Sequence, residues 1–380
     1  LAFGRDYIIP TPFDPRLIHR IPPAVARAGI ETSAARRPII DMAAYELSLK
    51  TRMDPTASIL RSLTERARVS QARMIFAEGD DPRTLRAAVM YQRSGFGKAL
   101  VVGREADVKD KLEAAGLEDA VSELEVVNAA NTKNLEIYKE YLYSRLSRKG
   151  YDQVDIHRLA ARDRHVFSAL MLAHDHGDGL VTGATRKSAY VLQSINHVFD
   201  ADAENGAAGV TAVLLNGRII LISDTLVHEW PEAEDLANIA ERASSVAQDL
   251  GIEPRVAFVS FSTFGYPTSE RAEKMKLAAE VLDRRGVNFE YEGEMAVDVA
   301  LNPKVMAQYP FNRLSGPANV LVVPARHSSS ISVKLLQEMA GATVIGPILC
   351  GVGYSIQLCS NVATATDILN MAVLAACKVG

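Results

Sequence analysis

Three segments of this sequence carry a short apolar run into a cluster of Gly, Ser and Thr. They are Thr182-Gly183-Ala184-Thr185-Arg186-Lys187-Ser188, Ser260-Phe261-Ser262-Thr263-Phe264-Gly265-Tyr266, and Gly346-Pro347-Ile348-Leu349-Cys350-Gly351-Val352-Gly353. Residues of these types expose backbone N–H groups, and an array of N–H groups at the start of a helix is where phosphate oxygens bind. Arg186 and Lys187 add positive charge to the first segment. Composition alone leaves a phosphate-bearing ligand and ordinary turn chemistry equally open. The third segment, followed to Asn361, contains no Asp, Glu, His, Lys or Arg.

Other residue groups invite chemical readings of their own. His174-Asp175-His176 with Asp178 has the composition of a metal cluster. Residues two apart on a helix point away from each other, and a histidine near a helix end complements the dipole, so capping is the favoured reading. Cys350, Cys359 and Cys377 lack charged neighbours of the kind that activates a thiol, and read as packed side chains. Three cysteines cannot all pair within the chain and fit a reducing cytoplasm. No G-x-G-x-x-G follows a strand pattern and no Walker A string is present. A nicotinamide cofactor held in the Rossmann manner is therefore not expected in this chain.

These candidates must be positioned by regular elements, and the patterning supplies them. Short apolar runs at 74–77, 99–102, 124–127 and 179–182 alternate with amphipathic stretches at 82–93, 105–115, from 132, and 165–174. Strands separated by helices imply a parallel sheet covered on both faces. After the polar, small-residue stretch 201–209, TAVLL-NGR-IILIS reads as a hairpin turning at Asn216-Gly217. Alternation resumes with helices at 231–250, 270–285, 328–340 and 364–378, and strands at 256–259, 319–323 and 343–345. PTPFDPRLIHRIPP carries five prolines and reads as an extended arm, with connecting helices at 23–28 and 42–66. The 380 residues suffice for two lobes, and 48% hydrophobic with 23% charged residues is ordinary for a soluble chain. A net charge of −4 argues against a nucleic-acid surface, and no apolar run is long enough for a membrane span. The first residues show no signal-peptide pattern, and the chain reads as a piece of a longer protein.

The order of motifs resembles a known family. FAEGDDPRTLRAA, DGLVTGAT, VSFSTFG, EGEMAVDVAL, SGPANVLVVP and GPILCG follow one another as in phosphotransacetylases, which move acetyl between coenzyme A and phosphate. FGRDYIIPTPFDPRL is similar to the end of the catalytic region of the large bacterial malic enzymes, in which such a region is fused to a phosphotransacetylase-like domain. The resemblance implies two doubly wound α/β lobes around a cleft, an architecture shared with isocitrate and isopropylmalate dehydrogenases. Residues 1–50 are expected to be the tail and linker, 51–200 plus 341–380 the first lobe, and 201–340 the second.

The resemblance also assigns roles. In active phosphotransacetylases the third segment continues as a K-P-V-N-D-L-S-R-G-like string whose Asp is taken as the base and whose Arg adds positive charge. Here Leu358 occupies the Asp position and Asn361 the Arg position; Cys350 replaces the family glutamine, and Val323-Pro324-Ala325-Arg326 replaces a Phe-Pro-Asp-Leu string. Leucine accepts no proton, and loss of general-base assistance costs about 10²–10⁴-fold in rate. The implied function is a regulatory and oligomerisation domain that binds acetyl-CoA as an allosteric inhibitor without acetyl transfer. The expected ligand set is Thr182, Gly183, Arg186, Lys187, Ser260, Ser262, Thr263, Lys334, Leu349, Gly351 and Asn361, with no catalytic residue and no metal. Expected partners are the malic enzyme catalytic domain in the same chain, which would hold NADP and Mg or Mn, and further copies: a dimer through the second lobe, or a hexamer in the longer protein. The alternatives are a transferase with a displaced base at Asp298, Glu294 or Asp367, and a purely structural dimerisation domain.

Overall fold

The computed structural model describes residues 17–35, 39, 41–43, 45, 55–200, 206–215 and 217–379. The chain divides into a small unit, Leu1–Arg61 with Asn216–Arg218, and a large unit, Ser62–Leu215 with Ile219–Gly380. Of the tail, residues 1–16 lie outside the described residues. Leu17–Glu31 is a helix with Pro22 and Pro23 inside it, where an extended arm was expected through Pro23. Proline removes N–H donors, but its φ is already close to helical, so a helix can pass through the pair at the loss of two bonds.

The large unit holds two sheets. The first is parallel throughout and ordered β11-β4-β1-β2-β3, from strands β1 (Met74–Phe76), β2 (Ala99–Val102), β3 (Glu125–Val127), β4 (Gly179–Thr182) and β11 (Ile356–Leu358). Every residue of β1, β2, β4 and β11 is buried, as both-face coverage by helices requires. The chain winds outward from β1 to β2 and β3, then returns to place β4 on the other side of β1. The gap between β1 and β4 is thus a topological switch point, where doubly wound sheets bind ligands beyond their carboxyl ends.

The second sheet is ordered β10-β5-β6-β9-β7-β8, from β5 (Ala208–Leu215), β6 (Arg218–Ser223), β7 (Arg255–Val259), β8 (Glu290–Met295), β9 (Val320–Val322) and β10 (Thr343–Cys350). β6, β9, β7 and β8 run parallel, and β10 runs antiparallel to β5. β5 and β6 are neighbours joined across residues 216 and 217, of which Asn216 lies outside the described residues.

Two expectations need correction. Residues 346–350 are not a loop: they are the second half of β10, and the register shift between Ile345 and Ile348 makes Gly346-Pro347 a bulge. Residues 343–350 therefore belong to the second sheet rather than to a first lobe resuming at 341; the chain rejoins the first sheet only with β11. The two sheets are tied there by Gln357, which is fully buried on β11. Its Oε1 accepts from the Leu349 N–H of β10 at 3.1 Å, and its Nε2 donates to the Leu349 carbonyl at 3.3 Å. Leu226, Ala207 and Leu349 from the second sheet's side join the core that contains Ile75, Phe167, Leu180 and Leu358.

Candidate functional site

The loop after β4 leaves the sheet at Gly183, whose φ is +104°. A side chain there would meet the Cys359 carbonyl oxygen at 2.8 Å, so only glycine lets this loop pass beside the loop after β11. The loop then enters the helix Ser188–Asn196 with Lys187 at the N-cap position and no side-chain cap. Opposite stands the helix Arg326–Ala340, which follows β9 and also starts without a side-chain cap. Between them lies a cleft of about 460 Å³. The first sheet contributes Lys187, Ser188 and Ala189 with Leu358, Cys359, Ser360 and Asn361. The second contributes Thr211, Thr225, Ser330, Lys334 and Gln337 and the bulge Gly346-Pro347, among others. An adjoining cavity of about 350 Å³ shares Gln337, Gly346, Cys359 and Ser360 and extends to Asp367, Asn370 and Met371.

Charge and acidity in the cleft are one-sided. Its lining carries two ammonium groups and, among the described residues, no Asp, Glu or His. Leu358 reaches it from the end of β11, paired in register with Thr182. Burial pushes the Cys359 thiol well above its ordinary range, with the negative charges of Glu78 and Asp367 adding to the effect. Burial likewise pushes the Cys350 thiol up to about 11. Neither cysteine is a thiolate near neutral pH.

Behind the cleft, the loop after β1 carries buried polar groups. Glu78 is 1% exposed and accepts the Gly183 N–H at 2.7 Å, across the switch point. Burial pushes its carboxyl up to about 7, against the pull of the Gly183 and Thr185 N–H groups and of Arg164. His165 is buried with Nδ1 2.6 Å from the Thr182 hydroxyl, and burial pushes it down to about 4, so the imidazole is neutral. Arg164 pairs with Asp80, and Arg83 with Asp81 at 2.9 Å.

The structure brings together only part of the expected ligand set. Lys187, Lys334 and Asn361 line the cleft. Thr182 and Gly183 lie directly behind it, bonded to His165 and Glu78. Arg186 sits over the Tyr190 ring at 5.8 Å. Leu349 is buried and bonded through its backbone to Gln357, while Gly351 packs against the Gly206 backbone; neither lines the cleft. Ser260, Ser262 and Thr263 follow β7 and also stay outside it. The Ser262 hydroxyl donates to buried Glu294 at 3.1 Å, and Thr263 Oγ1 accepts the Ala296 N–H. Cleft residues absent from the expected set include Thr211, Thr225, Ser330, Gln337 and Ser360. Ser330, Lys334 and Gln337 repeat at helical spacing, which was the available signal.

The acidic candidates for a displaced base also separate. Glu294 lies in β8 and Asp298 in the short helix Val297–Leu301, so no common helix carries them. Asp367 lines the adjoining cavity, but Oδ2 accepts from both the N–H and the hydroxyl of Thr364 in a capping box. Of the histidine cluster, His174 caps the helix Arg164–Ala173 and bonds the Leu170 carbonyl. His176 Nδ1 lies 2.5 Å from the Tyr138 hydroxyl, and Asp178 pairs with Arg73.

Two largely parallel sheets covered by helices, with a cleft between them, define an α/β protein of two lobes. The chain belongs to the phosphate acetyl/butaryl transferase family, whose pattern matches residues 58–376. It is 48% identical over 378 residues to an NADP-dependent malic enzyme of Rhizobium meliloti (strain 1021), covering all of this chain and half of that protein. It is 29% identical over 326 residues to a phosphate acetyltransferase of Thermoanaerobacterium thermosaccharolyticum, covering 83% of this chain and 97% of that one. A phosphotransacetylase structure from Streptococcus pyogenes superimposes with a TM-score of 0.79 at 25% identity, over 85% of this chain and 98% of its own. The chain spans about half the length of the malic enzymes it matches.

Proposed function

We propose that this chain is the regulatory and assembly half of a malic enzyme, which binds acetyl-CoA as an inhibitor and does not transfer the acetyl group. One observation carries the reading: the cleft presents Lys187 and Lys334 to an anion and puts Leu358, a side chain with no lone pair, at the end of β11. Two ammonium groups suit the phosphates of coenzyme A, and the apolar Val333, Val344 and Pro347 suit its slender arm. The neutral Cys359 thiol and a leucine offer no base to a thiol or to phosphate. On this reading NADP and the divalent metal belong to the other half of the longer protein, and the three free cysteines fit a cytoplasmic setting.

Assembly has its own support on the second lobe. The helix that lines the cleft through Ser330, Val333, Lys334 and Gln337 turns Ile331, Leu335 and Met339 outward, 57%, 52% and 82% exposed. An apolar stripe at i, i+4 and i+8 is suited to a second copy of this chain. Sedimentation of Leu335→Glu should show a smaller species than the parent protein; an unchanged species removes this contact.

The test of the ligand reading is a calorimetric titration with acetyl-CoA beside an assay for acetyl phosphate formed from acetyl-CoA and phosphate. Saturable binding without product is expected. The transferase reading rests on Asp367 at the adjoining cavity, and turnover that Asp367→Asn abolishes would establish it instead. Absence of binding at millimolar acetyl-CoA would leave a structural domain.

A further inference from the structure

Arg83 lies outside the cleft lining, yet it joins the two first-sheet loops that form one wall. It stands in the first turn of the helix Pro82–Arg93, whose N-cap is Asp81. A guanidinium has five N–H donors in a fixed planar fork. Here Nε donates to Asp81 Oδ1 at 3.1 Å, and one Nη2 donor goes to Asp81 Oδ2 at 2.9 Å. The other Nη2 donor reaches the Ala184 carbonyl at 2.8 Å, in the loop after β4. The two Nη1 donors reach the Asn361 carbonyl at 3.0 Å and the Ala363 carbonyl at 2.9 Å, in the loop after β11. All five donors are occupied. The carboxylate neutralises the charge and fixes the plane of the fork, so nothing of Arg83 remains for a ligand phosphate.

We propose that Arg83 is a positioning residue of the cleft: it sets the spacing between the loop that carries Lys187 and the loop that carries Ser360 and Asn361, and thereby the affinity for an anionic ligand it does not touch. This rests on the acetyl-CoA reading for the ligand but not for the tie between the loops. The geometry explains why arginine is required. A lysine at this position keeps the charge and loses the fork, so it cannot hold Asp81 and three carbonyls in two loops at once. The Ala363 end of the tie stands two residues before the last helix, Ala365–Ala376.

The experiment uses Arg83→Lys and Arg83→Gln in the intact protein, alone and combined with Lys187→Ala, with acetyl-CoA titrated by calorimetry. Both Arg83 variants are expected to bind about fivefold more weakly, within the range in which residues without ligand contact act. In the Lys187→Ala background the further loss should shrink to less than twofold, because the loop being positioned has lost its ammonium. Amide hydrogen exchange should rise in residues 183–187 and 359–363 together in both variants, with the second sheet unchanged. Binding by Arg83→Lys at the strength of the parent, or losses that multiply with that of Lys187→Ala, would overturn the proposal. If the parent binds no acetyl-CoA the ligand reading falls, and exchange alone decides the tie: both loops released supports it, and neither released overturns it.

Discussion

The loop after β4 and the loop after β7 look alike in sequence and do different work. Both run from a buried parallel strand into Gly, Ser and Thr ahead of a helix. After β7, the polar groups are turned on the protein itself: Ser262 Oγ and the Gly265 N–H both donate to Glu294 Oε1, at 3.1 and 2.7 Å, and the backbones of Thr263 and Tyr266 bond each other. After β4, one buried carboxylate, Glu78, takes the Gly183 N–H, Arg83 donates to the Ala184 carbonyl, and only the end of the segment, Lys187 and Ser188 with Ala189, opens onto the cleft. A Gly-Ser-Thr loop becomes a binding element only where the surrounding fold leaves part of it unmatched. Each loop meets one buried carboxylate from a distant part of the sequence, and the two differ in which of the loop's groups the fold covers and which it leaves at a cleft.

The comparison can be broken most directly at Glu294. Glu294→Ala strands the buried Ser262 hydroxyl and removes the partner of the part-buried Gly265 N–H, and should destabilise the protein by about 3 kcal/mol in denaturant titrations. Acetyl-CoA affinity of the folded fraction should stay within a factor of two. A large loss of affinity would mean that the β7 loop belongs to the site after all.

Glu78 provides the next largest effect, and its sign is specific. The folded chain holds this proton up to a pH of about 7, above the ordinary value of 4.5, because burial disfavours the carboxylate. A raised folded value stabilises fully below the unfolded value, and that contribution is lost as the pH rises through the folded one. Relative to Glu78→Gln, the parent protein should therefore lose roughly 3 kcal/mol between the two values and change little above pH 8. Unfolding curves for both proteins from pH 4 to 9 check this; a difference independent of pH would place the carboxylate in water.

Smaller effects sharpen the contrast at the surface. Lys187→Ala and Lys334→Ala should each weaken acetyl-CoA binding by about 1 kcal/mol, and less at high salt. Ser260→Ala should change both affinity and stability by less than about 0.5 kcal/mol.

These differences mark where the sequence was readable. Alternation of apolar runs with amphipathic stretches located β1, β2, β4 and the helices Pro82–Arg93 and Glu270–Arg285, because a both-face buried strand and a capped helix leave local patterns. β8 escaped notice because EYEGEM looks solvent-facing. Its Glu292 and Glu294 are buried, satisfied by Arg313 and by the β7 loop. β11 escaped because a glutamine stands at its centre, and its partner is a backbone on another sheet. At the site, Lys187, Lys334, Leu358 and Asn361 were legible from charge and from the departure from the family string. Ser330, Gln337 and Thr211 were not, since their place in the cleft depends on how the second sheet meets the first.

The buried amide of Gln357 has a mechanical consequence. Opening the lobes by rotation at β10 and β11 would pull its oxygen and nitrogen from Leu349 with no water at hand, a cost of about 1–3 kcal/mol for each group left bare. This contact is in effect a rivet beside the cleft, whose lining takes in the neighbouring Pro347 and Leu358, so the angle between the two strands there is inherited from the fold.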